Sequence, residues 1–229
     1  MQTAAALLNR APHQKRPSLP LLGGQIGLED GRLHEVCGPA RWRFAAWVAG
    51  AVDQTRPGPV LWLHLGWQGE AANADGLAES CAPHKILFVS VEKMEDMLWS
   101  MEESLRAGCV PLVIADVAEL PSLTQVRRLH LAAEQGSGLF GLSPLALILT
   151  PGATGGAPGV ESRWHLAPAH DARCAGWRLT RLRARTAPEA RFAVGLGPKG
   201  PVCGPPLRAP LPSYAEQGAK APCAGSARA

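Results

Sequence analysis

Three groups of residues carry the chemistry this sequence could perform. The first is the turn in "GRLHEVCGPARWRFAAWVAGA", Gly31 to Ala51. There a short apolar stretch runs into Gly38-Pro39 and then a small-residue helical pattern. A phosphate-cradling turn in that position needs small residues, so that backbone N–H groups approach the anion, and a Lys-Ser or Lys-Thr pair to reach the terminal phosphates. Here Ala40, Arg41, Trp42, Arg43 and Phe44 fill the space with bulk and supply no lysine. The second is Asp116, closing the apolar run "LVIAD", where a nucleotide-binding α/β protein carries its magnesium-organising carboxylate. With no loop lysine as partner, a polar residue capping the following turn explains it better. The third is "WRLTRLRAR", in which Arg178, Arg181, Arg183 and Arg185 alternate with Trp177, Leu179 and Leu182. The period of two slips between Leu179 and Leu182, which points to a bulge. A solvated edge strand protected by arginine accounts for this run; a DNA- or partner-binding strip is the functional alternative.

Other matches fail on context. "GLGPKG", Gly195 to Gly200, has the GxGxxG form, but Pro198 lies inside it and no helix follows. "GLSPL" around Ser143 lacks the second glycine of a nucleophile elbow. His34, His64, His84, His130, His165 and His170 are dispersed, and the six cysteines form no CxxC pair. No catalytic residue, metal site or cofactor is expected. Glu70 could activate water only beside a bound nucleotide.

These groups need a frame to hold them. At 229 residues the chain suits one α/β domain with an appendage. Apolar runs at 33–37, 60–65, 85–90, 111–115 and 145–150 read as core strands. Between them Met94, Met97, Leu98, Met101 and Leu105 recur at helical spacing up to Gly108. Ser122 with Gln125 forms a capping box ahead of Leu123, Val126, Leu129 and Ala133. Strands alternating with helices imply a mainly parallel sheet flanked by helices. "SRWHLAP", "GWRLTRLRAR" and "ARFAV" follow without helices, so antiparallel edge strands are expected near the C-terminus. Residues 1–18 read as a tail, 19–194 as the domain, and the Pro/Gly/Ala-rich 195–229 as disordered.

Charge sharpens the division. Residues 19–160 carry nine bases against fifteen acids, whereas 161–194 carry seven against three. An acidic body with basic ends favours nucleic acid or an acidic partner protein. No apolar run approaches membrane-spanning length, and a cytoplasmic location is expected.

In order and spacing, "GLEDGRLHEVCGP" and "KILFVSVEKMEDMLWSMEESLRAGCVPLVIADVAEL" resemble a RecA-type core. "LTQVRRLHLAAEQGSGLFGLSPLALIL", "SRWHLAPA" and "GWRLTRLRAR" are similar to the ImuA branch of the RecA/SulA-like proteins. The resemblance covers about residues 19–186. It implies a RecA-like, non-catalytic accessory protein of the SOS response to DNA damage, acting in mutagenic translesion synthesis. Its partners would be an ImuB-like inactive Y-family polymerase relative and an error-prone replicative-type polymerase, with single-stranded DNA as a further candidate ligand. Asp116 would be a vestige of the Walker B position above a degenerate P-loop. Two alternatives stand beside this: a divergent DNA-stimulated ATPase using Asp116, Glu70 and an arginine, and a SulA-like inhibitor of cell division.

Overall fold

The computed structural model describes residues 16–69, 72–138, 143–170, 175–197 and 200–206, with backbone alone for 204–206. Its frame is a nine-stranded sheet in the order β11-β10-β9-β8-β3-β7-β6-β4-β5. The strands are β3 (Leu33–Cys37), β4 (Val60–Leu65), β5 (Ile86–Val91), β6 (Leu112–Asp116), β7 (Leu145–Leu149), β8 (Ser162–Pro168), β9 (Gly176–Ala184), β10 (Ala190–Gly197) and β11 (Gly200–Pro206). From β5 across to β8 every neighbouring pair is parallel; β9, β10 and β11 then alternate antiparallel. A separate two-stranded hairpin, β1 (Ser18–Leu21) with β2 (Ile26–Glu29), precedes them.

All five core strands expected from apolar runs are present within a residue of their predicted ends. The central ones, β3, β6 and β7, are buried at every position, as strands covered on both faces must be. One face is packed by α1 (Arg41–Thr55) and the hairpin, through Phe44, Trp47, Val48, Leu19 and Leu28. The other is packed by α3 (Met94–Ala107) and α4 (Leu123–Gly136). Met97, Leu98, Met101 and Leu105 are buried on α3, so its methionine stripe is core. The Ser122–Gln125 capping box forms in both directions, while Leu123, expected in the buried stripe, is exposed. The C-terminal ends of α3 and α4 touch at Gly108 and Gly136. A Cβ on Gly136 would come within 2.0 Å of the Leu105 carbonyl, so only glycine permits that approach.

Four expectations need correction. The hairpin at 18–29 was not anticipated; its turn holds Leu22, Gly23 and Gly24 at positive φ, and its alternating Leu19, Leu21, Ile26 and Leu28 cover α1. A short helix, α2 (Ala74–Ala78), capped by Asn73, begins in "GWQGEAANADG", whose lack of regular apolar periodicity predicts a loop. β8 pairs antiparallel with β9 as expected but also parallel with β3, because the 150–161 connection crosses without a helix yet returns the chain to the same end. The regular structure also continues past 194: Gly195–Gly197 and Gly200–Pro206 are strand. Backbone pairing with β10 holds that segment. The rest of both terminal segments lies outside the described residues. Among the described residues no helix is long and apolar enough to cross a membrane.

Candidate functional site

The turn after β3 is occupied by the protein itself. Gly38 sits at φ +93°, and a Cβ there would come within 2.6 Å of the Leu166 carbonyl and 2.7 Å of the His165 ring. The amides that would face an anion are spent on carbonyls: Gly38 N–H donates to Gly152 O at 3.0 Å, and Ala40 N–H to Leu166 O at 3.1 Å. α1 then starts with no side-chain cap. Phe44 is driven into the core, stacked on Trp164 at 6.1 Å between ring centroids. The Gly38 and Ala40 amides are therefore already engaged and do not face a phosphate.

Asp116, at the end of β6, is 5% exposed. The indole Nε1 of Trp42 donates to its Oδ2 at 2.6 Å, and Arg41 Nε lies 3.5 Å from Oδ1. The Arg41 guanidinium also rests over the Trp42 ring, 5.2 Å from its centroid. The residues that replace the loop lysine thus close onto the carboxylate that a magnesium ion would need. Both partners were visible in the sequence, but 74 positions apart nothing in the spacing joins them. Among the described residues no cluster of three or more His, Cys, Asp or Glu side chains could hold a metal. Glu70 lies outside the described residues.

Beside this turn, the crossover from β7 to β8 is pinned by Glu35, which no motif in the sequence marks. Glu35, fully buried in β3, accepts from the Thr150 hydroxyl at 2.9 Å and from the Gly156 and Ala157 amides at 2.8 and 3.3 Å. Arg163 Nε reaches its other oxygen at 2.5 Å, and Arg163 Nη2 donates to Ala157 O at 2.8 Å. This carboxylate organises a loop and is saturated by it. A Glu inside an apolar strand opposite an Arg in a later one is the signal that could have found it.

The arginine run divides between two faces. In β9, Arg178 lies opposite Ala167 of β8 and Ala193 of β10, and Arg183 lies opposite Arg163. Trp177 and Leu179 point the other way, with Trp164, Leu166, Phe192 and Val194, into the α1-side core. The pairing slips one residue at Leu182, between Arg181 and Arg183, and this bulge returns Arg183 to the face of Arg178. Arg181 is left on the opposite face, over the Trp164 ring at 5.6 Å, with Nε donating to Pro188 O at 2.8 Å. Desolvation lowers its pKa. Arg185 lies just past β9 and turns to Glu161, Nε to Oε2 at 3.6 Å.

The face that keeps Arg178 and Arg183 gains Arg191, paired with Thr180 and exposed. Its remaining positions are Arg163, His165, Ala167, Thr180 and Ala193, with no acid among them. Ala193 and Arg191 are exposed where Phe192 and Val194 are buried, so β10 is covered on one side only. His165 has its pKa lowered, first by burial and then by the charge of Arg178. Beyond Arg163, which is paired with Glu35, the β9 and β10 part of this face holds guanidinium groups and no acid, an arrangement that suits a polyanion backbone.

The fold and site together define a three-layer α/β protein with a closed anion turn and a basic antiparallel flank. No known family model matches the chain, and no curated protein matches it.

Proposed function

We propose that this chain is a RecA-like accessory protein of the ImuA kind, without catalytic activity, acting in SOS-induced mutagenic translesion synthesis. The observation that carries the reading is the pairing of two features in one sheet. The nucleotide turn is shut by Trp42 and Arg41 on Asp116, while the adjoining flank presents Arg178, Arg183 and Arg191 on two strands, β9 and β10, that carry no acid. A protein built this way binds rather than turns over. Single-stranded DNA engages the basic flank through its phosphates, and an ImuB-like inactive polymerase relative and an error-prone replicative-type polymerase are its protein partners. Its site of action is the cytoplasm.

Affinity capture of the tagged chain from DNA-damaged cells of its source tests the partner assignment. Co-purification of a Y-family polymerase relative, dependent on damage, supports it. Recovery of a filament-forming division protein in its place refutes it and favours the SulA-like reading.

A further inference from the structure

The two edges of the large sheet are built in opposite ways. The β11 edge carries Pro201, Pro205 and Pro206, which remove three N–H donors and resist further pairing. The β5 edge, "ILFVSV", has no proline, no charge and no bulge over its six residues. Apolar side chains stand uncovered on it: Leu87 is 51% exposed and Phe88 42%, and Trp67, at 66%, lies against its end by donating Nε1–H to Glu92 O at 3.1 Å. Among the described residues β5 pairs with β4 alone. A long apolar edge with free backbone groups is a template for another strand.

We propose that two copies of the chain pair antiparallel through β5, about a two-fold axis at Phe88, joining their sheets into one. A two-fold axis normal to the sheet keeps each face on its own side, so residues directly opposite must both be odd or both be even. Leu87, Val89 and Val91 lie on the α3 face; Ile86 and Phe88 lie on the other, where Phe88 meets Trp62 at 5.9 Å. Centring on Val89 sets Lys85 against its own neighbour's Lys93 and Ile86 against Glu92, and like charges directly opposite repel. Centring on Leu87 draws Lys85 inward, opposite Val89. Centring on Phe88 pairs ring with ring, Leu87 with Val89 and Ile86 with Ser90, and brings His84 to Glu92 at each end. Aromatic and aliphatic cross-strand pairs are the favourable ones. The exposed acids of the following turn, Glu92, Glu95 and Asp96, then lie toward the end that carries His84 and Lys85, with Lys85 already ion-paired to Asp53. This inference stands independently of the function proposed above.

Sedimentation equilibrium of the full chain from about 1 to 100 μM reads the assembly. The expected result is a monomer–dimer equilibrium, with Phe88→Lys, and separately Leu87→Lys, weakening it at least about a hundredfold, since like charges brought together at an interface are strongly repelled. Circular dichroism melting of each variant confirms that it folds, and the two substitutions on opposite faces guard against one failing to. The register is read by oxidation in a background with Cys109, Cys174 and Cys223 replaced by Ser. Phe88→Cys lies on the axis, where opposed Cα atoms about 5 Å apart fit a disulfide. The two copies of Ser90→Cys lie about four residues apart along the strand, roughly 13 Å, and do not cross-link. A monomer at all concentrations overturns the proposal, whatever else covers the edge. So does an oligomer indifferent to both lysine variants, or cross-linking of Ser90→Cys as fast as Phe88→Cys.

Discussion

Replacing Arg183 and Arg191 together by Ala tests the basic flank against the arginine run as a whole. If Arg178, Arg183 and Arg191 each neutralise one phosphate, binding of a single strand loses about 0.7 in log–log salt slope per contact, giving a parent slope near −2. Raising salt from 50 to 200 mM would then weaken the parent by about twentyfold, and the double variant, with one contact left, by only about threefold. The loss should be the same for different base sequences, since phosphate contacts carry no base information. Fluorescence anisotropy with a labelled oligonucleotide at four salt concentrations supplies the slope. Arg181→Ala is the internal control: it lies on the opposite face over Trp164, so it should lower the melting temperature and leave the slope unchanged. Equal slopes for parent and double variant, or a slope change in Arg181→Ala alone, would refute the assignment of the face.

Four further outcomes follow from the geometry. Trp42→Phe removes the donor to a buried carboxylate, and should cost about 1.5–3 kcal/mol in urea unfolding without creating ATP binding, because the Gly38 and Ala40 amides stay engaged. Glu35→Gln leaves Arg163 without its charge partner inside the fold and should cost about 3–5 kcal/mol by the same measurement. Deleting 195–229 removes β11, bares the β10 edge and should promote concentration-dependent association seen by light scattering.

The fourth concerns acid. His34 and His130 are each held at a pKa of about 4, chiefly by burial. Both are pinned as the neutral tautomer. His34 Nε2–H donates to Glu29 O at 3.0 Å while Nδ1 accepts from Ser162 Oγ at 2.7 Å. His130 Nε2–H donates to Gly159 O at 3.2 Å while Nδ1 accepts from the Leu33 amide at 3.3 Å. The unfolded chain takes up these protons from about pH 6.5 downward, before the folded one does. Stability is therefore intact above about pH 6.5 and falls between there and pH 4, by up to roughly 3 kcal/mol for each histidine. Melting curves across pH 4–8 should show that decline; a flat profile would contradict it.

The sequence made the core legible where one physical signal dominated. β3 to β7 are short, predominantly apolar runs, α3 has a helical stripe, and Ser122 with Gln125 announces α4; each is a local pattern. What escaped depends on distance or on backbone. Trp42 meets Asp116, and Glu35 meets Arg163, across 74 and 128 positions. β11 is a strand through its backbone pairing with β10, which its Pro/Gly composition conceals. The slip in the arginine run was visible, but its consequence was not: without the bulge at Leu182, Arg181 and Arg183 would share one face and Arg178 would lie on the other.

Isothermal calorimetry of the chain with ATP and magnesium tests the central claim most directly, that the turn after β3 is closed and the protein works without nucleotide. The expected result is no saturable heat at millimolar ATP, with or without single-stranded DNA. A magnesium-dependent isotherm in the micromolar range, lost on Asp116→Asn, would contradict it and establish a nucleotide site that opens by releasing Trp42 and Arg41.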